Sequence, residues 1–172
     1  MKKVRWSVIG AGGIAQRRTI PGMMQCENAE LVAVMEITPE LAESCRAKWN
    51  CKKAYTSAED LLNDPEIDAV YIASPVFLHA QQAMAAADAG KHILIEKPIS
   101  PSENECIEMV EAAERKNLIF AVCHVLRYAP FFEKIKELVE NGAVGDILNF
   151  QLTENVGYWH FAHSFVRGVF RN

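Results

Sequence analysis

The chain has 172 residues, of which 50% are hydrophobic and 23% are charged, and its formal net charge is −4. This length allows one good core, or one domain and a piece of another. Because no block of Lys or Arg stands out and no apolar run is long enough to cross a bilayer, we expect neither nucleic acid nor a membrane as a partner.

The five cysteines are odd in number, scattered and without C-x-x-C spacing. They predict reduced thiols in a cytoplasmic protein, and neither a disulfide framework nor a zinc site. His160 and His163 have helical metal-ligand spacing but no neighbouring third ligand, so we predict no metal. The N-terminus, MKKVRWSVIGAGG, is not a signal peptide, because its apolar run is short and is broken by glycines.

Short apolar runs rich in Val and Ile alternate with longer segments of helical spacing. Strands that are buried on both faces of a parallel sheet have this nearly continuous apolar character. The predicted strands are residues 4–10, 30–36, 52–55, 68–74, 91–96 and 118–124.

The segments between the strands carry helix signals. Thr38, Ser57 and Ser100 stand at N-cap positions, and Gly90 and Asn117 stand where helices should stop. Strands that alternate with helices in this way predict an α/β fold, a doubly wound parallel sheet of the Rossmann type. We assign this domain to residues 1–124.

The alternation ends at about residue 124. Residues 130–145 have one apolar helical face with a stop at Gly142, and residues 146–156 alternate polar and apolar side chains as an antiparallel strand does. We therefore assign residues 125–172 to a linker and the truncated beginning of an α+β domain for substrate binding or dimerisation.

The stretch VIGAGGIA places Gly10, Gly12 and Ala15 between the first predicted strand and a helix. In a dinucleotide-binding fold the first glycine makes the tight turn, the second admits a pyrophosphate, and a small third residue lets helix and strand pack closely. The N–H groups at the start of the helix then face the phosphates.

Glu36 ends the second predicted strand, where a carboxylate can bind the ribose hydroxyls of an adenosine and would repel a 2′-phosphate. No Arg or Lys follows within four residues, so NAD is favoured over NADP. S-adenosylmethionine is disfavoured as the ligand. Enzymes that bind it usually carry an acidic residue in the strand just before the glycines, where this chain has Val8 and Ile9.

Polar residues also follow the last three predicted strands. In open parallel sheets, ligands bind outside the carboxyl ends of the strands, so these residues belong to one crevice. They are Ser74 and Pro75 with His79 beyond them, then Glu96, Lys97 and Pro98, and finally His124 and Arg127.

Two interpretations of the EKP turn remain open. In the first, Glu96 and Lys97 form a salt-bridged turn with no chemical role. In the second, Lys97 exchanges a proton with a hydroxyl while hydride moves to a cofactor, Glu96 orients it, and Pro98 fixes the turn. The Lys97–Pro98 bond is a candidate for the cis form.

The stretches VIGAGGIA, ASPVFLHAQQA and EKPIS resemble the Gfo/Idh/MocA oxidoreductases, such as glucose–fructose oxidoreductase and the inositol dehydrogenases. HVLRYAPFFEKIKELVENGAVGDI is similar to that family's entry into its second domain. The resemblance implies a dehydrogenase that transfers hydride between NAD(P) and a secondary hydroxyl of a sugar, cyclitol or related polyol, and that is a homo-oligomer when full length.

The resemblance also implies a role for each matching residue. Lys97 is the catalytic lysine and lies against the cofactor. The other implied cofactor contacts are Gly10, Gly12, Gly13 and Ile14 at the pyrophosphate, Glu36 at the ribose, and Ser74, Pro75, His79 and Glu96 along the cofactor. His124 and Arg127 are the candidates for substrate contact.

The chain departs from the family pattern because members are much longer and their second domain supplies further catalytic groups. We therefore expect either a fragment that binds NAD without turnover, or a protein that is not catalytic. The alternative function is a non-catalytic NAD-binding sensor or regulatory module. Lys97 distinguishes the dehydrogenase from the sensor, since a sensor has no need of this lysine.

Overall fold

Six parallel strands form one sheet in the computed structural model, which describes residues 2–155, 157 and 158. The chain divides into two compact units, Met1–His124 and Val125–Asn172, and the sheet belongs to the first. The strands are β1 Val4–Ile9, β2 Ala29–Met35, β3 Lys53–Tyr55, β4 Ala69–Ile72, β5 His92–Ile95 and β6 Phe120–Val122.

The strand order is β3-β2-β1-β4-β5-β6. The chain therefore first adds β2 and β3 on one side of β1. It then returns and adds β4, β5 and β6 on the other side, so its direction changes between β1 and β4. The predicted doubly wound Rossmann sheet is confirmed. Because all the strands are parallel, every strand ends at the same edge of the sheet, and the switch between β1 and β4 opens a crevice there.

Helices connect consecutive strands of the first unit. A π-helical segment, Ala15–Thr19, leads directly into a short α1. The helices are α1 Ile20–Met23, α2 Pro39–Trp49, α3 Ala58–Leu62, α4 His79–Asp88 and α5 Glu103–Arg115. No helix in the described part of the chain is both long and apolar enough to cross a membrane.

Two of the three predicted helix caps are confirmed. The side chains of Thr38 and Ser57 accept hydrogen bonds from backbone N–H groups at the starts of α2 and α3. The Ser100 prediction is wrong, because Ser102 caps α5 by accepting from the Glu105 N–H. The Ser100 hydroxyl instead donates to the Glu105 carboxylate and accepts from the Ser102 N–H, which holds the turn before the helix.

Successive side chains of a strand point to opposite faces of the sheet. Both faces of this sheet are covered by helices, so the side chains on each face are buried. Helices α3, α4 and α5 cover one face, and the segment from Ala15 through α1 covers the other together with α2. Fully buried strand residues on the first face include Ile9, Val70, Ile72 and Ile95, and those on the second include Val8, Val34 and Tyr71.

Charged groups are concentrated at the amino ends of the strands. Lys53 pairs with the buried Asp64 at 2.8 Å. The buried Lys91 ammonium donates to the carbonyls of Asp64 and Ile67 at 2.7 and 2.9 Å, although burial lowers its pKa. These bonds fasten the loop before β4 to β3 and β5.

Arg5 and Asp68 form the most complete ion pair at this edge. The Asp68 carboxylate accepts from the Arg5 backbone at 2.9 Å and from its guanidinium at 2.9 and 2.6 Å, and the guanidinium lowers the pKa of Asp68 to about 2. A depressed carboxyl pKa adds stability above the unfolded value, about 3.9, and this stability is lost as the pH falls toward the folded value.

We therefore expect Asp68→Asn to lower the free energy of unfolding by about 1–2 kcal/mol at neutral pH, and by progressively less between about pH 4 and pH 2. Urea unfolding at a series of pH values measures this. Asp88→Asn is the control, because Asp88 is exposed and its lysine partner lies 3.5 Å away. If the loss of unfolding free energy in Asp68→Asn did not become smaller as the pH falls, the electrostatic explanation of this loss would be contradicted.

The second unit contains one α-helix in its described part, α6 Pro130–Glu140, which agrees with the predicted amphipathic helix. The predicted strand at residues 146–156 is wrong, because residues 146–155 form no strand and are exposed. Alternation alone does not make a strand, since its backbone groups need a neighbouring strand as partner. Residues 156 and 159–172, with His160 and His163, lie outside the described residues.

Candidate active site

The turn after β1 lies against the end of β4. Gly10 has a φ of 77°, and a Cβ atom there would lie 2.9 Å from the Ala73 carbonyl carbon and the Ser74 nitrogen. The N–H groups of Gly10 and Ala11 both donate to the Met35 carbonyl at the end of β2. Only glycine combines this left-handed φ with so close a backbone approach, and the turn is thereby fixed at the switch point.

The next two glycines differ in what lies beside them, which is open space at Gly13 and a carboxylate at Gly12. A Cβ atom on Gly13 would have no neighbour within 4 Å, and one on Gly12 would lie 3.0 Å from the Glu36 Oε1 atom. Ala15 is fully buried, so helix and sheet pack closely behind the turn. Backbone N–H groups at a helix start have no intrahelical acceptor. The turn therefore fits the phosphates of a dinucleotide, with a carboxylate beside it.

Glu36 extends the end of β2. Its N–H donates to the Tyr55 carbonyl at 3.1 Å, and its Oε2 atom accepts from the Ile37 N–H at 3.3 Å. Within the described residues its carboxylate makes no ion pair. The carboxylate next to Gly12 is consequently available to neutral donors such as hydroxyls.

His79 joins the loops that follow β4 and β5. Its Nε2 atom lies 3.0 Å from the Ser74 carbonyl oxygen, and its Nδ1 atom lies 3.0 and 3.2 Å from those of Pro98 and Ile99. The side chain is only 1% exposed. The structure thus places His79 behind the crevice, where it ties the two loops together.

Ser74 and Pro75 lie on the crevice edge. The Ser74 hydroxyl donates to the Gln82 side chain on α4 at 2.5 Å, and Pro75 is exposed. The loop after β4 is therefore held from behind by His79 and Gln82, while its front is open.

The EKP turn continues β5. The Glu96 N–H donates to the Ile72 carbonyl, and its carboxylate accepts from the Tyr71 hydroxyl at 2.6 Å and from the Lys97 N–H at 3.2 Å. The Lys97–Pro98 bond is cis. Lys97 is exposed and forms no ion pair within the described residues, so the salt-bridged turn is not what the structure contains.

Cys123 and His124 follow β6 at the same edge. The Cys123 N–H donates to the Ile95 carbonyl, and burial together with the neighbouring Glu96 raises the pKa of its thiol to about 12. Cys123 is therefore a neutral thiol at physiological pH and not a nucleophile. His124 is exposed, and Arg127 belongs to the second unit.

Sequence reasoning missed Tyr71 and Thr19. Tyr71 is fully buried on β4, and its hydroxyl accepts from Thr19 while donating to Glu96. A tyrosine within an otherwise aliphatic buried strand was the available signal, because a buried phenol needs a hydrogen-bonding partner.

The glycine turn, the acidic end of β2 and the lysine turn after β5 define a Rossmann domain of the dinucleotide-binding class. A family model described as an oxidoreductase family with an NAD-binding Rossmann fold matches residues 4–124. The chain belongs to this family, Gfo/Idh/MocA, which confirms the resemblance in the sequence.

Three relatives illustrate the match. The 1,5-anhydro-D-fructose reductase of Ensifer adhaerens is 34% identical over 141 residues, which cover 82% of this chain and 42% of that protein. The structure of scyllo-inositol dehydrogenase from Lactobacillus casei with bound NAD(H) and scyllo-inositol has a TM-score of 0.79 at 26% identity, covering 85% and 43% of the two chains. KijD10, a 3-ketoreductase from Actinomadura kijaniata in complex with NADP and TDP-benzene, has a TM-score of 0.78 at 25% identity, covering 85% and 45%.

The chain spans 42–47% of the length of the first three curated relatives that it matches. One of the similar structures binds NAD(H) and another binds NADP. Family membership alone therefore does not select between the two cofactors.

Proposed function

We propose that this chain is the cofactor-binding part of a dehydrogenase that transfers hydride between NAD and a secondary hydroxyl of a sugar, cyclitol or related polyol. The observation that carries the proposal is the position of Lys97, exposed and without an ion-pair partner in the described residues, at the edge that also bears the glycine turn and Glu36. Two of the three named relatives act on, or bind, compounds of this class.

Different groups of this chain bind different parts of the cofactor. The backbone N–H groups of Gly12, Gly13 and Ile14 bind the pyrophosphate, and Gly10 sets the turn that presents them. Glu36 accepts hydrogen bonds from the ribose hydroxyls. Support comes from the open space at Gly13 and from the approach of the Glu36 carboxylate to Gly12.

The crevice walls position the rest of the cofactor and the substrate. Ser74 and Pro75 border the cofactor from the loop after β4, and His79 acts behind them by holding that loop to the EKP turn. His124 and Arg127 are the proposed substrate-side contacts.

Lys97 is the proposed catalytic residue. A bound nicotinamide would supply the hydride chemistry at the carbon that carries the substrate hydroxyl. The Lys97 Nζ atom hydrogen-bonds the oxygen on that carbon, where it stabilises developing charge and exchanges the hydroxyl proton. Glu96 does not pair with this ammonium, and its contribution is to hold the turn through the Lys97 N–H.

The cofactor preference gives a test that needs no substrate. We expect tighter binding of NAD than of NADP, and we expect Glu36→Ala to weaken NAD binding by about 1–3 kcal/mol, because the ribose hydroxyls lose their acceptor. Calorimetric titration of both cofactors measures this. Glu40→Ala is the control, since it removes an acid from the exposed start of α2. NADP affinity equal to or above NAD affinity in the unmodified protein would disprove the preference.

The activity itself is tested with a panel of sugars, cyclitols and polyols. Formation of NADH with at least one of them, lost on replacement of Lys97, supports the proposed function. Tight NAD binding without turnover of any panel member by the whole enzyme would favour a sensor.

A further inference from the structure

A hydrogen-bonded line, buried at Tyr71 and exposed at its Lys97 end, runs from the first helical segment to the EKP turn. Thr19, the last residue of the π-helical segment, donates from Oγ1 to the Tyr71 hydroxyl at 2.9 Å. The Tyr71 hydroxyl donates to the Glu96 Oε1 atom at 2.6 Å. The other oxygen of that carboxylate, Oε2, accepts from the Lys97 N–H at 3.2 Å.

The line crosses the face of the sheet that α1 and α2 cover. Tyr71 is fully buried there among Val8, Ala15 and Ile20. The Glu96 carboxylate is thus held between the Tyr71 hydroxyl and the backbone N–H of Lys97.

The direction of the hydrogen bonds in this line follows from the chemistry of its members. A carboxylate only accepts, so the single hydrogen of Tyr71 is committed to Glu96, and Thr19 must donate in turn. Burial, and then the bond to Glu96, raise the pKa of Tyr71. Tyr71 therefore remains a protonated donor at all physiological pH values and takes no part in proton transfer.

The geometry points to Tyr71, supported by Thr19, as a positioning residue for Lys97. This inference rests on the proposed function, in which Lys97 must hold its Nζ atom at the reacting oxygen. Tyr71 fixes the Glu96 carboxylate, and the carboxylate fixes the backbone N–H of Lys97. Errors of about 1 Å in the position of a catalytic group cost up to about 10²-fold in rate, so loss of a distant hydroxyl becomes visible in turnover.

The line also connects the two parts of the site. Thr19 lies one helical turn beyond Gly13 and Ile14, where the pyrophosphate is proposed to bind. The helix that carries the glycine turn is thus hydrogen-bonded through Tyr71 to the turn that carries the lysine. A shift of one relative to the other requires a partly buried hydrogen bond to break.

The first test uses the 172-residue chain without cofactor. In Tyr71→Phe we expect amide hydrogen exchange at Lys97 to become about tenfold faster, the equivalent of one net hydrogen bond, because Glu96 is no longer held. Exchange at the Glu96 amide, which donates to the Ile72 carbonyl, should stay unchanged and reports that the sheet is intact.

Tyr55→Phe is the matched control for this test. Tyr55 also donates its hydroxyl to a carboxylate, that of Asp64 at 2.9 Å, but Asp64 lies at the opposite edge of the sheet. Tyr55→Phe should therefore leave amide hydrogen exchange at Lys97 unchanged. Thr19→Val should reproduce a smaller part of the Tyr71→Phe effect, and Thr19→Ser, which keeps the hydroxyl, should restore normal exchange.

The second test is a double-mutant cycle in the whole enzyme. We expect Tyr71→Phe to lower kcat by about 10-fold or more with little change in the KM for NAD, and to have no further effect once Lys97 is Ala, because residues that act as one unit are not additive. Equal losses in both backgrounds, or unchanged exchange at Lys97 in the first test, would overturn the positioning role. Full activity of Lys97→Ala would instead overturn the proposed function, while the exchange result would still decide whether Tyr71 holds the turn.

Discussion

Replacing Lys97 with Ala should lower kcat of the whole enzyme by about 10²–10⁴-fold, the range expected when a positioned proton-transfer group is removed. Affinity for NAD should change little, since the proposed pyrophosphate and ribose contacts come from the glycine turn and Glu36. Steady-state kinetics with a turned-over polyol, together with calorimetric titration of NAD, separate the two quantities.

Lys116→Ala is the control for this loss. Lys116 is also a lysine with an exposed ammonium, but it ends α5 and pairs with Asp88, on the far side of the domain from the EKP turn. Its replacement should leave kcat unchanged. Near-normal turnover in Lys97→Ala would mean that the turn serves structure alone.

Replacing Gly10 with Ala should lower the free energy of unfolding by about 3 kcal/mol. A left-handed φ costs an L-residue about 1–2 kcal/mol, and forcing extra atoms into a packed site costs a further ~1–3 kcal/mol. Both conditions hold, because φ is 77° and the new Cβ atom would lie 2.9 Å from backbone atoms of Ala73 and Ser74. Denaturant unfolding measures the loss.

Gly90→Ala isolates the contribution of the close approach. Gly90 has a φ of 70°, but a Cβ atom there would meet nothing within 4 Å. Only the cost of the backbone conformation remains, about 1–2 kcal/mol. Equal destabilisation by the two substitutions would contradict the packing argument for Gly10.

The parts of the fold that local sequence determines were predictable. Each strand of the first unit was found to within a few residues, because a buried parallel strand is apolar throughout. The glycine turn was found because few residues other than glycine adopt its conformation. The edge at which Glu36, Ser74 and Lys97 gather followed from parallel pairing alone, since all strands then end on one side.

The parts that depend on distant partners were not predictable. The Glu96 carboxylate had the neighbouring Lys97 as its obvious partner in sequence, yet it accepts from Tyr71, which is 25 residues away. The ring nitrogens of His79 lie against carbonyls of two different loops, and no local pattern in the sequence indicates these contacts. Residues 146–155 alternate correctly for a strand but have no described strand beside them.

The ion pairs at the amino ends of the strands have a consequence for how this domain can change. Arg5, Lys53 and Lys91 stabilise the fold at one edge, whereas the proposed chemistry occupies the other. A substitution at Glu36 therefore leaves those bonds intact. The ion pairs at the amino edge thus continue to stabilise the fold when Glu36 is replaced, so directed evolution of the cofactor preference can begin at this position at little cost in folding free energy.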